Sequence, residues 1–342
     1  MSLTDTVQKL AEGREFNLRK GQYSLVKTAY QTNDFKVYEV EPKKDPTWDA
    51  SGKKIVDDSW SHSTVIRLSQ LKNDEAKIKA LFDQFQVRKS ITKDQCPSIV
   101  TFHDQGIIQY QDELYYAVRY DQPFRDFAYW ITVDHQGTEI DPLDVYRLAR
   151  GSLEVFAFLE ENGYVLTQYD EHNVYATSLS EDRANFFRVM FKGHKDKSAP
   201  FTGLQRRHKF SPPETESSDI YKSYSFTMGL LMIWGILYTN NKQGEFPDNV
   251  HQNTGSIDNL IKTAVNTLYK EGAANQQQKE SLQVFLEEVL QADIGKRKSA
   301  KELLTFKWIV ESDKLDYEEY KKECDEYERA VAKEREENEK NA

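Results

Sequence analysis

The sequence is poor in cysteine: Cys96 and Cys324 are the two among 342 residues. Two thiols make no disulfide framework, so a reducing, cytoplasmic setting is expected, with membership of a larger or cytoskeletal assembly left open. Long apolar runs are also lacking. The longest, 226–238, falls short of the roughly 20 residues that span a bilayer. The first stretch, MSLTDTVQKLAEGREF, holds no apolar signal core. Basic residues are outnumbered, 46 Lys plus Arg against 56 Asp plus Glu, for a net charge of −10. That balance argues against general nucleic-acid binding. The seven histidines show no ligand spacing with cysteine, so no metal site is expected. No G-x-S-x-G occurs, which leaves acyl hydrolysis without support.

Aromatic residues are plentiful. Nineteen tyrosines and 18 phenylalanines argue for a packed core despite 30% charged residues. The polar segment 1–15 is expected to be flexible. From Phe16 to Val40 the runs YSLVKTAY and FKVYEV alternate like two antiparallel strands joined at 31–34. A loop over 41–62, with room for a small hairpin, leads to a third strand over 64–68. The segment 74–91 has helical spacing, and two strands follow in IVTFHDQGII and ELYYAVRY. An amphipathic helix spans 144–161 with Asn162-Gly163 as its cap, and 226–239 is apolar nearly all round, as a buried helix would be. Further helices are expected over 256–271, 277–291 and 299–310, and a charged helical tail over 311–342. A β-rich first third followed by helices predicts an α+β fold in two lobes.

Four segments, in order, resemble the eukaryotic protein kinase domain. IVTFHDQGIIQYQDELYYAVRY (99–120) is similar to the strands leading to the hinge. GSLEVFAFLEENGYVLTQYDEHNV (151–174) is similar to the helix and catalytic loop, Ser211-Pro212-Pro213-Glu214 to the A-P-E motif, and LQADIGKRKSAKELLTFKWI (290–309) to the end of calcium/calmodulin-type Ser/Thr kinase domains. The resemblance implies a kinase-like N-lobe over 16–121, a C-lobe over 122–310, and a structural ion pair between Glu214 and Arg297.

The same resemblance shows which catalytic parts have been replaced. Phosphoryl transfer needs a phosphate cradle, a cation, metal ligands and a base. On the Gly-rich loop pattern only Gly21 and Val26 match, with Arg19 and Ser24 in place of glycines. The strand lysine falls on Arg67 and its glutamate partner on Gln84. Leu166-Thr167-Gln168 stands at H-R-D, so Gln168 replaces the base while Asn173 retains the motif's asparagine. Asp170 and Glu171 offer a displaced base. The metal aspartate falls on Phe191, or on Met190 in the neighbouring register. Tyr224 replaces the helix acid that steadies the catalytic loop, and Asp219 lies earlier.

The resemblance therefore implies a pseudokinase that works as a scaffold through protein–protein contacts, with no cofactor expected. Residual ATP binding, an atypical active kinase using Asp170, and a structural block in an assembly remain as alternatives. Two segments are expected to meet protein partners. One is the basic stretch 192–209, with Lys192, His194, Lys195, Lys197, Arg206, Arg207, His208 and Lys209. The other is the tail, where Tyr317, Tyr320, Cys324, Tyr327 and Val331 recur at three- and four-residue steps on one helical face. The tail is expected to dock first and then project, or to be solvated throughout.

Overall fold

A computed structural model describes residues 3–11, 23–31, 36–42, 47–48, 54–55, 63–71, 74–110, 113–120, 125–176, 186–191, 193–194, 209–214, 219–248, 250, 254–270 and 276–341. It mixes helices with small antiparallel sheets, an α+β chain. Two compact units emerge: Met1–Phe124 with Met190–Lys195, and Arg125–Val189 with Asp196–Ala342. Among the described residues no helix is long and apolar enough to cross a membrane.

The first unit begins with helix α1 (Leu3–Ala11). Within the segment 1–15, part of which lies outside the described residues, Val7 and Thr6 are buried, and Lys9 reaches Glu75 at 3.0 Å. Strands β1 (Tyr23–Gln31) and β2 (Lys36–Pro42) pair antiparallel, followed by the small hairpin β3 (Thr47–Trp48) and β4 (Lys54–Ile55). Then come β5 (Ser63–Arg67), helix α2 (Glu75–Lys89), β6 (Phe102–Tyr110) and β7 (Glu113–Tyr120). The antiparallel sheet runs in the order β1-β2-β5-β7-β6, so the crossover carrying α2 between β5 and β6 accompanies a strand-order swap. Tyr116 ties that helix to the sheet. Its ring meets Phe82 at 5.2 Å, and its hydroxyl donates to Gln105 Oε1 at 3.0 Å.

The second unit opens with elements the periodicity gave no sign of. These are β8 (Arg125–Asp126), the helical turn α3 (Phe127–Tyr129) and a π-turn over Trp130–Asp134. Phe127 and Trp130 pack on Phe187 at 5.7 and 5.2 Å, so aromatic burial rather than an amphipathic repeat sets this segment. Helix α4 (Pro142–Asn162) starts where the Asp141 carboxylate accepts from Leu143 N at 2.7 Å, with proline at the first position. It ends at Gly163, whose φ of 70° needs a residue without Cβ. The short strands β9 (Val165–Leu166), β10 (Val174–Ala176) and β11 (Phe187–Val189) follow, and β10 lies between β11 and β8.

Helix α5 (Ile220–Thr239) is buried nearly throughout, as its all-round apolar sequence requires. Around it stand α6 (Ile257–Leu268) and α7 (Gln276–Val289). At Gly229 the approach is close enough that a Cβ would lie 2.7 Å from Val289 Cγ1.

The helix expected over 299–310 is broken in two. α8 (Ala300–Leu304) carries a Ser299–Glu302 capping box, and it stops where Thr305 Oγ1 donates back to Glu302 O at 2.7 Å. A new helix, α9 (Lys307–Asn341), then runs 35 residues without interruption. The charged tail is therefore continuous with the core. Buried Trp308 seats its first turn against Phe285 at 4.9 Å.

Candidate functional site

The segment from Leu166 to Asn173, read as the degenerate catalytic loop, forms a dense polar turn in the second unit. The main chain of Leu166 is held at both ends by one hydroxyl. Leu166 N–H donates to Tyr224 Oη at 2.9 Å, and Tyr224 O–H donates to Leu166 O at 2.9 Å. Tyr224, at the position the resemblance gives to an acid, thus carries the loop-steadying contact with a neutral group. Burial raises the pKa of this phenol well above its ordinary value, against the opposing pull of its hydrogen bond with Leu166. Beside it Tyr221 O–H donates to Tyr164 O at 2.9 Å. Phe156 stacks edgewise on Tyr169 at 4.9 Å, and the Tyr169 hydroxyl meets Ser152 Oγ at 2.7 Å.

Asp170 closes the turn. It is 6% exposed, one carboxylate oxygen accepts His172 N–H at 2.9 Å, and the other accepts from the Gln168 amide. Asn173 N–H donates to Asp170 O at 3.1 Å, and the asparagine is fully buried. Gln168 therefore acts as a donor within the turn. Both oxygens of Asp170 are engaged in shaping the turn.

Glu171 and His172 link the loop to α3. Glu171 O accepts from Ala128 N at 3.1 Å, and His172 Nδ1 lies 3.0 Å from Asp126 Oδ2. The other oxygen of Asp126 caps α3 through Tyr129 N at 2.7 Å. Burial opposes the charged imidazole of His172. The hydrogen bond and charge of Asp126, with Glu171 and Asp170 behind, outweigh burial and raise its pKa. Glu171 is raised by burial and by the Asp170 charge, against the opposing pull of His172 and, more weakly, Lys209. The Lys209 ammonium stands 4.3 Å from the Trp234 ring centre and 4.6 Å from that of Phe210, and burial lowers its pKa.

Asp126, the aromatic seat of Lys209 and the hydroxyl clamp of Tyr224 escaped the sequence reading. Among the described residues no group of three or more His, Cys, Asp or Glu could hold a metal ion.

The other candidate positions are distributed as follows. Phe191 and Met190, the two residues on which the resemblance lets the metal aspartate fall, are both buried. Arg67 closes β5 opposite Tyr115, Val26 lies at an irregularity in the β1–β2 register, and Gln84 is on α2; their side chains lie outside the described residues. Gly21 lies outside them as well, as does most of the basic stretch: Lys192, the His194 side chain, Lys195, Lys197, Arg206, Arg207 and His208. Glu214 and Arg297 meet in a bidentate pair, with Nη1 to Oε1 at 2.7 Å and Nη2 to Oε2 at 2.8 Å. The Arg297 side chain is 1% exposed, donates also to Gln291 O at 2.5 Å, and lies over the Phe226 ring at 4.5 Å. Ser223 Oγ donates to Glu214 Oε1 at 2.7 Å, and Arg297 outweighs burial to lower the pKa of that carboxyl.

Comparison with models of known families, and with curated proteins, returns no match for this chain.

Proposed function

We propose that the chain is a kinase-like protein that has given up phosphotransfer and acts through protein contacts. The observation that carries this reading is the state of the loop at 168–170. Gln168 stands at the base position as a donor, and both oxygens of the nearest alternative, Asp170, already accept hydrogen bonds. A carboxylate so engaged would have to break its own turn to take a proton from a hydroxyl.

Three features support the kinase-like part of the reading. The first unit holds a five-stranded antiparallel sheet with helix α2 between its β5 and β6. In the second unit, the Tyr224 hydroxyl grips the start of the loop, and the bidentate Glu214–Arg297 pair joins the segment before α5 to the turn before α8. Apolar Phe191 or Met190 at the metal position fits a site that needs no cofactor.

Thermal melting with ATP, with and without Mg²⁺, is the test, together with transfer of label from γ-labelled ATP. No melting shift and no labelling are expected. Magnesium-dependent labelling that disappears in Asp170→Ala would overturn the proposal and establish the displaced base.

A further inference from the structure

The projecting part of α9 suits a second copy of this chain. From Lys321 to Ala330 every side chain except Cys324 is exposed, and Tyr327 is 72% so. Tyr317, Tyr320, Cys324, Tyr327 and Val331 follow one another at steps of three, four, three and four residues. That is the spacing of a two-helix seam. It adjoins the face already used for docking, where Ser312 and Asp316 are buried.

The flanking charges choose the orientation. In a parallel pair, the residue before each first core position lies near the residue after the second core position one heptad on, which sets Glu323 beside Glu328 of the other copy. Like charges would then meet twice by symmetry, while the opposite-charge contact the same rule gives, Asp316 beside Lys321, is closed off because Asp316 is buried against Arg147. In an antiparallel pair centred between Cys324 and Tyr327, the core layers are Tyr320 against Val331 and Cys324 against Tyr327. Lys321 then faces Glu328 of the other copy, again twice. The repulsive contact becomes an attractive one.

We propose that α9 pairs antiparallel with α9 of a second copy, through Tyr320, Cys324, Tyr327 and Val331, with Lys321–Glu328 contacts fixing the register. This rests on the tail being a binding arm, as the proposed function has it, and not on the loss of phosphotransfer. Tyrosine and cysteine in place of leucine make the pairing weak and concentration-dependent.

Sedimentation of the full chain up to about 100 µM, the regime of a weak complex, tests it. A monomer–dimer equilibrium is expected. Lys321→Glu and Glu328→Lys should each weaken it by about tenfold, since each replaces two attractions with two repulsions. The double exchange should restore it, with melting temperatures unchanged in all three. Under mild oxidation, Tyr327→Cys should cross-link through Cys324 far faster than the parent chain does. A chain that stays monomeric, a dimer indifferent to the reversals, or a parent that cross-links as fast as Tyr327→Cys would each overturn the proposal. A monomer that captures another protein through its tail would leave the binding-arm reading standing and this one refuted.

Discussion

Tyr224 shows how much of a main chain one neutral hydroxyl can hold. Its oxygen accepts from and donates to the same residue, Leu166, at 2.9 Å in both directions. Inside a nearly dry environment a phenol meets this demand without the desolvation cost of a carboxylate. Tyr224→Phe would leave a buried N–H and C=O unpaired, so a loss of about 1–3 kcal/mol is expected from denaturant titration. Amide exchange should accelerate around Leu166 rather than across α5. The residue types at this loop were legible in the sequence, but their partners were not. His172 finds Asp126 from 46 positions away, and Tyr224 finds Leu166 from 58. Local spacing carries no record of such pairs, because packing chooses them.

At the level of elements, the docking of α9 on α4 is an arginine shared among acids. Arg147 donates to Asp144 at 2.8 Å, to Asp316 at 2.9 and 2.5 Å, and to Glu319 at 3.3 Å. One guanidinium cannot satisfy three carboxylates equally. Burial, only partly offset by Arg147 and reinforced by nearby acids, pushes Asp144 up to about 6 from its ordinary 3.8. Between those values the folded chain holds the extra proton, so Asp144 withdraws stability as pH rises through that window. Asp144→Asn should therefore lose less stability than the parent as pH rises from about 4 to about 6, read as melting temperature against pH. Asp316→Ala is different in kind. It strips the guanidinium of its closest buried partner, and a loss of about 3 kcal/mol or more is expected at neutral pH. The helices themselves were readable from caps and apolar spacing, as at Asn162-Gly163. The break at Thr305 was not, because a side-chain hydroxyl bonding to Glu302 O leaves no gap in the apolar pattern.

On the scale of the molecule, the tail is two things in one helix. Its first turns belong to the core: Trp308 and Ile309 are buried, Tyr146 O–H donates to Asp313 at 2.7 Å, and Asp316 meets Arg147. A chain ended after Val310 would lose those partners and leave Arg147 underpaired, so it should melt lower. One ended after Tyr320 should melt like the parent while losing whatever the exposed part binds. Comparing the two truncations by calorimetry separates support from recognition. Composition and periodicity were enough to find the tail, its tyrosine stripe and the α+β layout. The shared arginine that seats it was invisible, since Arg147 and Asp316 lie 169 positions apart.

Because α9 passes from core to solvent without a break, its 35 residues form one rod of about 50 Å. A rod clamped over its first third behaves as a lever with its fulcrum at Arg147. Any load taken up near Asn341 is delivered, magnified, to that clamp, and through it to α4 and the loop that α4 feeds. A sideways load on the exposed turns would thus bear first on Arg147 and α4.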